Sequence, residues 1–172
     1  MAKQFNVIFA IDTNTKLIDD EKISISTCVE AYFKKINDDY GHPFGDTVIK
    51  QIAHTLRTSL RPSDSIGRYG GDEFVMLALD LGNDSEQASI KAQLIAQSII
   101  KSLEDSYTLG GKSYFTTVSI GTTLFKAGNL NTNEVFKQLD IALASAKSAG
   151  KNQIRFFDPI WQESINRQAQ LL

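Results

Sequence analysis

Arg68-Tyr69-Gly70-Gly71-Asp72-Glu73-Phe74 places two glycines and two adjacent carboxylates between strand-like runs, Ser65 to Tyr69 and Phe74 to Leu79. Glycine accepts a positive φ at no steric cost, so a tight hairpin turning at Gly70-Gly71 is expected. Without Cβ atoms, that turn would let a bulky anionic ligand lie against the backbone. Strand alternation would send Asp72 and Glu73 to opposite faces, leaving one carboxylate for any single site. Two further polar clusters fall at the ends of expected elements. Asn37 and Asp46 flank Gly41-His42-Pro43-Phe44-Gly45, and Lys147 and Lys151 stand four apart on one helix face. Asn and Asp can read the polar edge of a purine, Lys can bind phosphates, and a carboxylate can hold Mg²⁺ against them. Together these residues describe a nucleoside-triphosphate site with no Walker-type loop. Read singly, each has a plain structural explanation: a surface turn with solubilising acids, and lysines that complement a helix dipole.

The elements that would carry these groups follow from periodicity. Phe5 to Ile11 is an apolar strand, closed by turn chemistry at Asp12-Thr13-Asn14-Thr15, and residues 22–29 alternate as a half-buried strand. Tyr32 to Ile36 reads as a short helix ended by 37–43. A longer helix from Gly45 to Leu60 buries Val48, Ile49, Ile52 and Leu56 before Pro62 stops it. After the hairpin, Asp84 and Gln87 form a capping box for a helix carrying Ile95, Ile99 and Leu103. Gly110-Gly111 turns the chain into a strand from Tyr114 to Phe125. A helix from Thr132 or Asn133 then runs to Gly150, residues 153–157 form a closing strand, and Trp161 to Leu172 forms an amphipathic helix outside the core. The order implies an α+β fold, a central, mainly antiparallel sheet with helices packed on it around a βαββαβ-type core.

Composition fits one domain of 172 residues, 42% hydrophobic and 22% charged. A net charge of −2 gives no support for a nucleic-acid surface. The single cysteine, Cys28, excludes an internal disulfide and reads as a buried, inert thiol. No apolar run approaches the ~18 residues of a membrane span, and no secretory leader is apparent. A cytoplasmic domain without direct membrane contact is expected, whose parent protein could carry an anchor elsewhere.

In its ordered motifs the chain resembles the GGDEF family of diguanylate cyclases, whose fold is the nucleotidyl cyclase or ferredoxin-like palm. Residues 68–74 match the signature, and Phe33-Lys34-Lys35-Ile36-Asn37-Asp38 with Gly41-His42 and Gly45-Asp46 resembles the family's upstream block. Thr117 to Gly121 and Asp140 to Lys147 resemble its later strand and helix motifs. The resemblance covers 22–157 most strongly within a domain of 1–157, followed by a helix or linker at 158–172. It implies condensation of two GTP into cyclic di-GMP by a homodimer, with Mg²⁺ or Mn²⁺. Asn37 and Asp46 would bind guanine. The backbone at Tyr32 and Phe33, with Gly70, Gly71, Lys147 and Lys151, would hold the phosphates. Asp72 would bind the metal, Glu73 would activate the 3′-hydroxyl, and Arg68 would order the site. Arg61 and Asp64 match the spacing of the family's RxxD inhibitory site, which binds cyclic di-GMP. The family's Asp-x-Asp before the Phe-Lys block is replaced by Val29 and Ala31, which leaves Glu30 as the nearest second acid for the metal and Asp12 as the other candidate for the vacant position. That departure implies an alternative, a domain that binds GTP or cyclic di-GMP and regulates a neighbour. The terminal helix lies where such domains often join an EAL phosphodiesterase domain, so the native chain is expected to continue past Leu172.

Overall fold

A computed structural model describes residues 5–17, 32–105, 107–126, 131–150 and 152–171. The expected strand at 22–29 falls outside these residues, as do Cys28, Val29, Glu30, Ala31 and Lys151. Among these described residues, six strands form one sheet: β1 (Phe5–Leu17), β2 (Ser65–Gly70), β3 (Glu73–Ala78), β4 (Tyr107–Leu109), β5 (Lys112–Lys126) and β6 (Gln153–Phe156). Five helices accompany them: α1 (Tyr32–Tyr40), α2 (His42–Thr58), α3 (Ser85–Leu103), α4 (Thr132–Ser148) and α5 (Pro159–Gln170). The sheet order is β2-β3-β1-β5-β4, and β6 also lies on β5. All pairings are antiparallel except that of β5 with β6. The α+β plan read from the sequence is the observed one.

Alternation along β1 divides the interior. Phe9 and Ile11 face the larger core, with Val48, Ile52 and Leu56 of α2, Ala92 and Ile99 of α3, and Phe74 and Met76 of β3. Ala10 faces the other way, against Val135, Leu139 and Leu143 of α4. Alpha4 can sit close to the sheet because Ala10 pairs with Gly121 and neither carries bulk. A Cβ on Gly121 would lie 2.3 Å from the backbone nitrogen of Leu143.

Four local expectations are corrected. Beta1 does not end at Ile11; residues 12–17 continue it because each pairs with a residue of β5, out to Leu17 opposite Tyr114. Alpha1 runs through 37–40, and α2 begins at His42, with Pro43 in its first turn and Gly41 at φ 86° joining the two. The central hairpin turns on Gly71 and Asp72, since Gly70 already pairs with Glu73. Alpha5 starts at Pro159 rather than Trp161; it packs against α3 and β6 and contributes no described residue to either core cluster. Asp84 caps α3, accepting from the Glu86 N–H at 3.0 Å, one residue before the Gln87 that a capping box would use.

Candidate active site

Asp12 ends the apolar part of β1 and is held on both sides, paired with Glu73 of β3 and Ser119 of β5. Two residues on from Ala10, it projects to the α4 side of the sheet, as does Glu73 directly opposite. Like charges facing each other across a strand pair repel. Lys147, in the last turn of α4, answers that repulsion: its ammonium contacts the Asp12 carboxylate and lies 3.9 Å from Glu73 Oε1. Lys147 and Leu143 lie one helical turn apart, so the close seating of α4 over Gly121 is what brings the ammonium within reach.

Asp72 joins this group from the turn. The Thr13 hydroxyl and N–H both donate to the Asp72 carbonyl, at 2.8 and 3.1 Å, and tie the hairpin tip to β1. Arg68 Nε donates to the Gly71 carbonyl at 2.8 Å and fixes the other half of the turn. Because Asp72 sits in the turn, strand alternation does not separate it from Glu73, contrary to the sequence expectation. Burial first, then the negative charges of Asp12 and Glu73, push the Asp72 carboxyl up to about 6, against the opposing effects of its own backbone N–H and Lys147. Burial works against the Lys147 ammonium, but its bond to Asp12 and the charges of Asp12, Glu73 and Asp72 outweigh it. Its pKa is held above the ordinary lysine value.

Among the described residues, no three His, Cys, Asp or Glu side chains converge closely enough to hold a metal ion. The donor chemistry nevertheless fits a hard divalent cation. Asp12 and Asp72 would supply oxygen ligands whose mutual repulsion such an ion would relieve, and Mg²⁺ commonly binds through one or two carboxylates plus substrate phosphates. Beside Glu73, a shallow, open depression lies between the hairpin and α4. Tyr69 stacks on Phe136 at its rim, with ring centres 5.9 Å apart.

A second constellation lies where α1 meets α2. Asn37 Oδ1 is buried with no hydrogen-bond partner, an unmet acceptor in a folded interior. Gly45 packs directly against it, and a Cβ there would fall 1.7 Å from Asn37 Oδ1. Asp46, the next residue, is exposed. Tyr32 and Phe33 open α1, whose first turn contains no acidic residue and presents backbone N–H groups free of intrahelical partners.

Arg61 and Asp64 form a closed unit. Arg61 donates through Nε and its backbone N–H to Asp64 Oδ2, both at 3.1 Å, and through Nη2 to Asp64 Oδ1 at 2.9 Å. The same Nη2 reaches the Leu79 carbonyl at 2.7 Å, and Arg57 donates to the Asp64 carbonyl at 2.6 Å. Asp64 is only 4% exposed, so both its oxygens are committed to closing the turn before β2. Replacing Asp64 by Ala is expected to lower stability by roughly 2 kcal/mol, the cost of stripping a buried hydrogen-bonded acceptor from its donors. A urea midpoint equal to that of the parent would contradict this.

The structure thus gathers Asp72, Glu73, Lys147 and the supporting Arg68 at one end of the sheet. Gly70 and Gly71 form the adjoining turn, and Asn37 and Asp46 stand at the α1–α2 junction. Sequence reasoning left the second carboxylate open between Asp12 and Glu30, and it missed Thr13. The signal available for Asp12 was an acid directly terminating a buried apolar run, a common place for a presented functional group.

Comparison with known proteins identifies the family of this fold. Residues 5–153 match the family described as Diguanylate cyclase, GGDEF domain, and the chain belongs to that family. Probable diguanylate cyclase DgcT of Escherichia coli is 38% identical over 72% of the chain and 26% of its own length. Diguanylate cyclase A of Treponema denticola is 34% identical over 78% and 35%. The GGDEF domain of YfiN from Pseudomonas aeruginosa superposes with a TM-score of 0.68, at 30% identity over 89% of this chain and 82% of that one. The chain therefore spans only about a quarter to a third of these two curated relatives.

Proposed function

We propose that the domain binds GTP with a divalent cation and condenses two GTP into cyclic di-GMP, one GTP on each domain of a head-to-head pair. The observation that carries this reading is the cluster of Asp12, Asp72, Glu73 and Lys147, pinned by Thr13 at the hairpin tip. Asn37 Oδ1 and the Asp46 carboxylate accept from the guanine edge, which supplies the buried acceptor with its missing donor. Backbone N–H groups at Tyr32 and Phe33, the Gly70-Gly71 backbone and Lys147 bind the phosphates, and Lys151 is assigned the same role by its motif position. Asp12 and Asp72 hold Mg²⁺ or Mn²⁺, which when bound neutralises phosphate charge during in-line displacement. Glu73 accepts a hydrogen bond from the attacking 3′-hydroxyl and orients it. Incubation of the purified protein with GTP and Mg²⁺ or Mn²⁺ over a range of protein concentrations is expected to yield cyclic di-GMP, increasing more than linearly with protein. No product at any concentration would reject catalysis.

One observation favours a second reading, in which the domain binds nucleotide without turnover. Beta1 continues from Asp12 along β5 as far as Leu17, so Asp12 and the backbone at Tyr32 and Phe33, which opens α1, are carried by separate elements. Calorimetry showing GTP or cyclic di-GMP binding by a protein that makes no product would select it. In either reading, product recognition at Arg61 requires its fork on Asp64 to open. Pairing with an EAL domain and a cytoplasmic setting are part of this proposal; among the described residues no helix is long and apolar enough to cross a membrane.

Gly45→Ala separates guanine reading from the chemistry at the hairpin. The added methyl would displace Asn37 Oδ1, and GTP affinity is expected to fall about tenfold, the worth of one good hydrogen bond. Unchanged affinity by calorimetry would remove Asn37 from the binding site.

A further inference from the structure

Lys147 is the one cation paired with the carboxylate cluster among the described residues. A lysine at the end of α4 would satisfy the helix dipole simply by staying near the last carbonyls. Instead its side chain reaches across to β1, onto Asp12, with Glu73 on its other flank. Asp12 is 19% exposed and Lys147 39%, so the pair is partly withdrawn from water and only modestly screened. No three carboxylates among the described residues converge closely enough to hold a metal ion by themselves.

We propose that in the ligand-free domain the Lys147 ammonium is an internal counter-ion standing in for the divalent cation. Metal and triphosphate consequently bind cooperatively, because the phosphates draw Lys147 off Asp12 and free that carboxylate. This rests on the metal–nucleotide reading given above. A flexible four-carbon stem lets the ammonium swing between carboxylate and phosphate without moving α4, whose position is fixed by the backbone contact at Gly121. Such a switch would keep the cluster's charge balanced in both states, and metal alone would compete poorly with a tethered cation.

Mn²⁺ binding, followed by electron paramagnetic resonance of the free ion, tests the proposal with and without the α-thio analogue of GTP. In the unmodified protein the nucleotide is expected to raise Mn²⁺ affinity at least about tenfold. Lys147→Met is expected to bind Mn²⁺ alone about tenfold tighter than the parent and to lose most of the nucleotide enhancement. Lys147→Gln should behave likewise, and Lys147→Arg, which keeps the charge, should resemble the parent. Equal Mn²⁺ affinity in the parent, Lys147→Met and Lys147→Gln, with nucleotide still enhancing it, would overturn the counter-ion role and leave the site assignment standing. Absence of Mn²⁺ binding in every protein even with nucleotide would overturn the site assignment itself, and this inference with it.

Discussion

Asp12→Asn is expected to lower cyclic di-GMP synthesis by more than roughly 100-fold with little loss of fold. Disturbing an outer partner of a metal ligand commonly costs 10–100-fold, and Asp12 is assigned as a ligand itself. The substitution keeps the side-chain shape and the β1 pairings with Glu73 and Ser119, so thermal unfolding should move little. It removes the charge that opposes Asp72 and holds Lys147. A rate assay at saturating GTP and metal is the check. Full activity in Asp12→Asn together with a large loss in Glu30→Gln would transfer the second ligand role to Glu30.

The second large effect concerns the seating of α4. Gly121→Ala places a methyl 2.3 Å from the Leu143 nitrogen, a backbone atom that cannot rotate away. Alpha4 must lift from the sheet, at an expected cost of roughly 3 kcal/mol. Lys147 would be carried away from Asp12 and Glu73, so synthesis should fall further than stability alone explains. A denaturation midpoint within error of the parent would show that the helix has slack that the close contact denies. The comparison is useful because Gly121 touches no proposed ligand.

These two positions also show where local sequence stopped being informative. The hairpin, the Asp84 cap and the Gly110-Gly111 turn were legible because each depends on residues only a few positions apart. Beta1 was cut short because Asp12-Thr13-Asn14-Thr15 carries turn chemistry, whereas the strand persists through pairing with β5, more than a hundred positions downstream. Without that pairing, Asp12 could not be placed beside Glu73, and the second carboxylate stayed open between Asp12 and Glu30. The common side of Asp72 and Glu73 was hidden for a related reason, since a one-residue change in the turn decides whether alternation applies. Gly45 and Gly121 stand in motifs that the sequence made visible, but their purpose depends on which atom lies opposite. For Gly45 that atom is Asn37 Oδ1, and for Gly121 it is the backbone of α4.

Arg61 and Asp64 are a case where motif and structure describe different tasks. The family resemblance implies a product site there, while the bonds show a buried acid whose two oxygens already accept from its own arginine. Both can hold only if ligand binding exchanges the Asp64 contact for another acceptor of the guanidinium.

The shared placement of a cation by Asp12 and Asp72 is tested most directly by anomalous diffraction from crystals grown with Mn²⁺ and the α-thio analogue of GTP. The expected result is a manganese peak within about 2.5 Å of a carboxylate oxygen from each residue, with Lys147 turned from Asp12 to the phosphates. Manganese bound to Asp72 alone, with Lys147 still on Asp12, would contradict it.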